Sequence, residues 1–493
     1  MNFSKSNFLK PISVLVVFLF VSPSFGKTLD KLLPFLGNPN IDVLSYHFDI
    51  DIPSIEVEEF NVVMDMEVLA LKDASEIELH TNAKLIQVNE AYVNGKKVPT
   101  SILQGIPGKE AYGLKGDVLS IDNISVNADE VSKVKILYTV KLSSGDTGFY
   151  SMKDGNLSYL LTRNWPYYGR FWFPGNDSPL DAAKVSYKIT VPKSYMGLAN
   201  GMLIDEKLVK KNRRDVSVFT WKQEMPTTTY NFVFAVGKFA SYTEDICFNE
   251  EGIDNERVDC EKADRKIPLE IYYNPNNQVH LEMVESLKKD ALSAIYFSKL
   301  FGKYEFEKLG FLLSDYPFNM ESTSLIVLHD KQASVHEIVH HWWGNNVHIP
   351  HWGDFWISEG FTTYVTGLYT EYLTGKNNSC LDYESTKKLN NPESTDPNDI
   401  FDLVPYCKGA ASIHDLRERL AKLSSHDRDA TKAFLNMLSE LYKTYKGSAL
   451  STEAFIAFVN ENAMEIYEAQ GIKLDENEFG RVLKAWSKRW YDL

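Results

Sequence analysis

His336 and His340 stand four residues apart in Val335-His336-Glu337-Ile338-Val339-His340-His341-Trp342-Trp343-Gly344-Asn345. On a helix that spacing puts both imidazoles on one face, able to grip one zinc ion, with Glu337 beside them as general base. A catalytic zinc takes three protein ligands and keeps one position open. Glu359 supplies the third, eighteen residues after His340 in Trp356-Ile357-Ser358-Glu359-Gly360-Phe361. That segment reads as the start of a second helix, and two antiparallel helices would bring His336, His340 and Glu359 together. Two histidines and one glutamate suit a single Zn2+, without excluding another divalent metal. His341, His348 and His351 lack the ligand spacing and read as surface groups or as groups that orient the ligands.

The elements that must position this cluster fall into two halves. From about residue 28 to 240 the pattern is that of β structure. Leu44 to Ile52 and Ala183 to Val191 alternate with period two, and Asn94-Gly95, Asp154-Gly155 and Asn200-Gly201 mark turns. Lys207, Lys210, Lys211, Arg213 and Arg214 lie between two strand-like runs and read as a solvated hairpin tip. After about residue 265 helical spacing takes over, at Val279–Phe301, Asp415–Leu423, Ala430–Tyr445, Phe455–Tyr467 and Phe479–Trp490. The polar stretch from Asn377 to Asp399 reads as a long surface loop. The expected division is 27–240 for a β domain and 241–493 for a catalytic domain.

Composition limits the remaining classes. Among 493 residues, 44% are apolar and 24% charged, the balance of a globular protein. No run approaches the roughly 18 apolar residues of a membrane span. A formal charge of −15 argues against a nucleic-acid partner. Residues 1–26 carry Lys5 and Lys10, a short apolar run from Pro11 to Val21, and Ser24-Phe25-Gly26. They read as a signal peptide cut before Lys27, which predicts a secreted or periplasmic protein. In such a compartment Cys247, Cys260, Cys380 and Cys407 are expected to form disulfides. Three pairings are possible, and sequence proximity favours Cys247–Cys260 and Cys380–Cys407.

The motif H-E-x-x-H, eighteen residues and then Glu within W-I-S-E-G-F resembles the zinc aminopeptidases of the aminopeptidase N family, the gluzincins. Four further segments agree. Pro317-Phe318-Asn319-Met320-Glu321-Ser322 resembles the family's G-x-M-E-N exopeptidase motif. Pro405-Tyr406-Cys407-Lys408-Gly409-Ala410 resembles its Y-E-K-G-A segment. Thr162–Pro179 and Met225–Gly237 resemble segments where its first domain ends and meets the catalytic one. The resemblance implies a multidomain α and β fold: an antiparallel, saddle-like β domain followed by a thermolysin-like, mainly α-helical catalytic domain. It implies Glu337 as general base, Tyr406 as donor to the oxyanion, and Glu321, with Met320 beside it, as partner of a peptide's α-ammonium. Asp354 would orient a metal ligand.

Three departures from that family matter. Phe318 and Asn319 replace small residues and Ser322 replaces Asn, so Phe318 would reshape the first substrate pocket. Trp165 stands where the family has Glu or Gln near the α-amine, offering only a cation–π face. The chain ends at Trp486-Ser487-Lys488-Arg489-Trp490-Tyr491-Asp492-Leu493, about where the family's catalytic domain ends, without its C-terminal sandwich and helical domains. The cleft is then expected to be open, or covered by a second copy or a partner chain. Trp486 and Trp490 would dock such a partner or, as the favoured reading, finish the core. The expected activity is aminopeptidase action on peptides. The alternatives are a zinc endopeptidase or oligopeptidase with no strict need for a free amine, and a non-catalytic zinc-containing binding protein.

Overall fold

The computed structural model describes residues 37–491, apart from 106–115, 143–147, 155–156, 251–255, 378–379, 382–388, 390–402 and 425–426. The leader expected at 1–26 and most of the polar stretch from Asn377 to Asp399 lie outside the described residues. A β domain comes first and a mainly helical domain second. The alternating segments became strands of one eight-stranded sheet. Its order is Met202–Lys211, Arg214–Thr228, Ala182–Pro192, Ile41–Asp51, Glu59–Ala70, Val131–Lys141, Ile86–Val93 and Lys96–Val98. Tyr46, Phe48 and Ile50 point alternately inward from Ile41–Asp51 and are buried. One pair departs from the antiparallel expectation: Ile41–Asp51 runs parallel to Ala182–Pro192. The basic cluster is a hairpin tip as expected, turning at Asn212 and Arg213 with φ of 50° and 67°.

The pattern change near residue 265 conceals a further sheet of four strands, in the order Ala240–Phe248, Arg265–Tyr273, Leu309–Leu313 and Ile326–Leu328. The last two are parallel to their neighbours and wholly buried. Buried parallel strands read as plain apolar runs, so nothing in the sequence announced them. Among the described residues the α-helices are α1 Gln278–Asp290, α2 Ser293–Phe301, α3 Ser334–Val339, α4 Phe355–Thr374, α5 Gly409–Lys422, α6 Asp427–Tyr445, α7 Thr452–Glu468 and α8 Glu476–Tyr491. The single helix expected over Val279–Phe301 breaks into α1 and α2 at Ala291-Leu292. Among the described residues no helix is long and apolar enough to cross a membrane.

Trp486 and Trp490 finish the core. Their indoles donate to the Ser412 carbonyl at 2.9 Å and to Asp415 Oδ2 at 2.8 Å. The cysteines pair as Cys247–Cys260 and Cys380–Cys407. The first domain grips the second through polar bonds. Asn200 Nδ2 donates to the Thr323 carbonyl at 2.7 Å, and Gln223 Nε2 to Thr323 Oγ1 at 3.0 Å. Glu307 Oε1 accepts from the backbone N–H groups of Glu224 and Met225. These bonds fix the segment around Glu321 against the β domain.

One buried carboxyl in the β domain makes stability pH-dependent. Asp181 accepts from Asn176 Nδ2 at 2.5 Å and the Val43 N–H at 3.3 Å, while its Oδ1 is buried without a partner. Burial, with the charge of Asp42 adding to it, pushes its pKa up to about 8 against those two bonds. The folded state therefore holds the proton that the unfolded chain releases near pH 4, and stability falls as pH rises from about 4 to about 8. Asp181→Asn, which keeps the shape and removes the charge, is expected to raise the melting temperature by several degrees at pH 8. The gain should shrink toward zero at pH 4, and thermal melts showing a pH-independent difference would refute it.

Candidate metal centre and active site

A 3-10 turn, Lys331–Ala333, opens the helix α3 that carries the paired histidines. Its start is fastened by Asp330, whose side chain accepts from the Gln332 N–H. Asn319 Oδ1 accepts from the His329 and Asp330 N–H groups at 2.8 and 3.0 Å, tying this helix start to the segment that carries Glu321. The helix stops at His340, and the chain doubles back through Gly344, whose φ is 107°. A Cβ there would stand 2.4 Å from Ser358 Oγ and 2.8 Å from His340 Nδ1, so only glycine lets α4 approach. That approach sets Glu359 opposite the histidines.

Three donor atoms then form a triangle. His336 Nε2 lies 3.1 Å from Glu359 Oε2, His340 Nε2 lies 3.3 Å from the same oxygen, and the two Nε2 atoms are 3.2 Å apart. Tetrahedral ligands at zinc distances stand roughly 3.3–3.4 Å from one another, so the triangle fits the ion. The tautomer fits as well. His340 Nδ1 lies 3.0 Å from the Trp343 carbonyl, to which it can only donate, leaving Nε2 free to bind metal when the ring is neutral. Thr362 Oγ1 donates to the same carbonyl at 3.1 Å.

The charges of the cluster are strongly coupled. Burial alone would lower His340, but the carboxylates of Glu359 and Glu321, the bond to Glu359 and the charge of Glu337 outweigh it and hold its pKa at about 10. Burial pushes Glu359 up, yet His340 and the bonds from both imidazoles bring it down to about 2. His336 is lowered by burial, against its bond to Glu359. Glu321, Glu337 and His340 form a second set whose polar atoms lie within 4.8 Å of one another. Burial raises Glu321 to about 7, His340 opposing and Glu359 adding, and raises Glu337 well above the usual range. Three buried carboxylates converging beside two imidazoles make a site that favours cations.

Tyr406 lies in a π-helical turn, Val404–Lys408, with its ring 6.0 Å from that of His336 and 6.0 Å from that of Phe355. Burial and then the charges of Glu359, Glu321 and Glu337 raise its phenol well above 10, so it keeps its proton. Gly409, three residues on, packs its backbone on Gly360, next to Glu359. A Cβ on either would stand 2.7 Å from the other's Cα, so the turn and α4 touch at their closest only because both are glycine.

Met320 is buried and forms an antiparallel bridge with Val327, and the Glu321 carbonyl accepts from Asn345 Nδ2 at 2.7 Å. Phe318 is half-buried against Tyr316, with the Arg163 guanidinium 5.6 Å over its ring. Trp165, also half-buried, packs on Trp352 and on Phe355 at ring distances of 6.4 and 5.9 Å. It thus belongs to an aromatic wall that leads through Phe355 to Tyr406.

Other expectations need correction. The Asp354 carboxylate is turned to Thr452 rather than to a metal ligand: its Oδ1 accepts from the Thr452 N–H and Oγ1, clamping the start of α7 to the start of α4. Of the two readings of His341 and His348, burial excludes only the one as surface groups; His341 packs against Tyr304 and Phe306 while its Nε2 accepts from the Ser324 N–H. His351 lies 3.1 Å from Asp354. One residue near the site was not singled out in sequence. Tyr230 donates to the Gly344 carbonyl at 3.0 Å and lies close enough to feel the charge of Glu321. A lone tyrosine in a strand-rich segment carries no signal of such a role.

Comparison with known proteins agrees with this arrangement. The profile described as "Peptidase M1 N-terminal domain" matches residues 44–230, and "Peptidase family M1 domain" matches 298–474. Glutamyl aminopeptidase of Mus musculus is 24% identical over 350 residues, 65% of this chain and 34% of its own length. The chain thus spans about a third of that relative. Leucine aminopeptidase 2 of Aspergillus oryzae is 23% identical over 447 residues, 84% of this chain and 66% of its own. The M1 zinc metallopeptidase of Deinococcus radiodurans superposes with a TM-score of 0.69 at 22% identity, over 93% of this chain and 96% of that one. A variant of it is solved with a Tyr-Ser-Ala substrate. With the sheet domain and the metal-helix domain both matched, in order, the chain belongs to peptidase family M1.

Proposed function

We propose that the protein is a secreted zinc aminopeptidase that removes N-terminal residues from peptides. The observation that carries the reading is the triangle of His336, His340 and Glu359 with Glu337 and Glu321 beside it. Zinc bound there would supply Lewis acidity, polarising the scissile carbonyl and acidifying a water. Glu337 takes the water's proton and passes it to the leaving amine. The Tyr406 phenol donates a hydrogen bond to the oxygen on which charge builds. Glu321 pairs with the α-ammonium, which favours its ionised form. A similar protein supports the substrate class: a variant of the Deinococcus metallopeptidase is solved with a Tyr-Ser-Ala substrate. Secretion is supported by the two disulfides, which persist in oxidising compartments.

A second reading, an oligopeptidase or endopeptidase without a strict need for a free amine, is favoured by Trp165. An aromatic face attracts an ammonium only weakly compared with a carboxylate. One experiment separates the two. Short fluorogenic peptides, each free and N-acetylated, are offered to the chain from Lys27 with zinc, with and without a chelator. The aminopeptidase reading expects cleavage of the free peptides at least about tenfold faster, a margin of roughly 1.4 kcal/mol, lost with chelator and restored by zinc. Equal rates on acetylated peptides would overturn it in favour of the second reading.

A further inference from the structure

We propose that the Cys380–Cys407 disulfide positions Tyr406 for turnover, by lashing the turn that carries the phenol to the chain leaving the helix that carries Glu359. Cys407 directly follows Tyr406 within the π turn Val404–Lys408 and is buried. Cys380 is exposed and lies six residues beyond Thr374, where α4 ends at the left-handed cap Gly375. The bond joins them at a Cα separation of 5.1 Å.

A π turn is one residue wider than an α turn and rarely persists without outside support. Two of its supports flank Tyr406. On one side of Tyr406 the backbone of Gly409 rests on Gly360. The disulfide, adjacent to Tyr406, ties the turn to the chain beyond the far end of the same helix. Tyr406 itself stands with its ring 6.0 Å from those of His336 and Phe355 and its phenol against the Glu359 carboxylate, where charge builds in the reaction. Hydrogen-bond donation to a developing charge tolerates little displacement, and an error of 1 Å costs about 10²-fold. The cross-link therefore acts on the rate through Tyr406, and leaves the metal triangle, built from α3 and α4, intact. The second disulfide, Cys247–Cys260, closes a loop after the edge strand Ala240–Phe248 and serves as the control.

The inference rests on the catalytic role proposed for Tyr406, and the test separates the two. Four variants of the full secreted chain are compared: Cys380→Ser with Cys407→Ser, Cys247→Ser with Cys260→Ser, Tyr406→Phe, and Tyr406→Phe combined with the first pair. Zinc content, kcat and KM are measured on a free peptide. Loss of the first disulfide should lower kcat by about tenfold to a hundredfold, with KM within about twofold and zinc at one equivalent. The combined variant should be no slower than Tyr406→Phe alone, because a displaced phenol and a missing one are equivalent. The control pair should keep its kcat. Wild-type kcat without Cys380–Cys407, or losses that multiply in the combined variant, overturns the proposal while leaving the role of Tyr406 standing. A Tyr406→Phe chain as fast as wild type removes that role and the proposal with it. Should the serine pair not fold, the folded wild-type and Tyr406→Phe chains are reduced with a phosphine and capped with iodoacetamide. The two sulfurs gain two electrons and two protons as the phosphine becomes its oxide with oxygen from water. Capped cysteines are mapped, and a loss of kcat in wild type but not in Tyr406→Phe is again required.

Discussion

Replacing Glu337 with glutamine is expected to lower kcat/KM by roughly 10³-fold while one zinc stays bound, within the range lost when a general base is removed. Glu337 is not one of the three atoms of the triangle, and its backbone is held independently of its side chain, since its carbonyl accepts from His341 Nδ1 at 3.3 Å. Glutamine matches its shape and keeps a carbonyl oxygen for hydrogen bonding, but it takes no proton from water. Burial holds the native carboxyl well above its usual pKa, His340 opposing and the neighbouring carboxylates adding, and such displacement is a mark of groups that move protons in catalysis. The glutamine avoids that desolvation cost, so the variant should melt no lower than wild type. Peptide hydrolysis, metal analysis and a thermal melt on one preparation check all three statements. Unchanged hydrolysis would exclude Glu337 as the base and favour the binding-protein alternative. Loss of zinc would make it a ligand.

The part of this site that was legible in sequence is the part fixed by short-range geometry. His336 and His340 share a helix face because of the 3.6-residue period, and Glu337 follows from the same turn. The neighbouring cysteines paired as their proximity suggested, and the basic run became a hairpin tip. What was not legible depends on distant chain segments meeting. The parallel pairing of Ile41–Asp51 with Ala182–Pro192 joins strands about 140 residues apart, and period-two alternation is silent on direction. The buried strands Leu309–Leu313 and Ile326–Leu328 show no alternation at all. Asp354 looked like a partner for a metal ligand because it lies near the motif in sequence, whereas its carboxylate is spent on Thr452, 98 residues on. The Gly360–Gly409 contact, which brings Tyr406 beside Glu359, belongs to two segments each of which reads alone as an ordinary helix. Resemblance to a family supplied Tyr406 and Glu321, which no spacing rule would have selected.

Zinc uptake by the metal-free protein should tighten at least about tenfold per pH unit between pH 6 and 8, the slope set by one proton displaced per ion. Without metal, His340 is an imidazolium paired with Glu359 at 3.3 Å, its pKa held at about 10 by the surrounding carboxylates against burial. Throughout that window zinc must expel its proton. His336 contributes less, because burial lowers its pKa and favours the neutral ring. Protons leaving Glu321 or Glu337 would only steepen the slope. The sign also applies to folding of the metal-free chain. A histidine raised above its unfolded pKa stabilises fully below about pH 6.5, and that contribution fades as pH rises toward 10. Chelator-treated protein should therefore lose stability with rising pH just where zinc binding gains strength, so the interval between apo and zinc-loaded melting temperatures widens from pH 6 to 8. Glu359→Gln removes the charge that holds the proton on His340 and one ligand together. It should weaken zinc binding by orders of magnitude and flatten the pH slope. Competition titrations against a chromophoric chelator at three pH values read both effects, and a slope of zero in the wild-type protein would show that His340 is neutral in the empty site and refute the account.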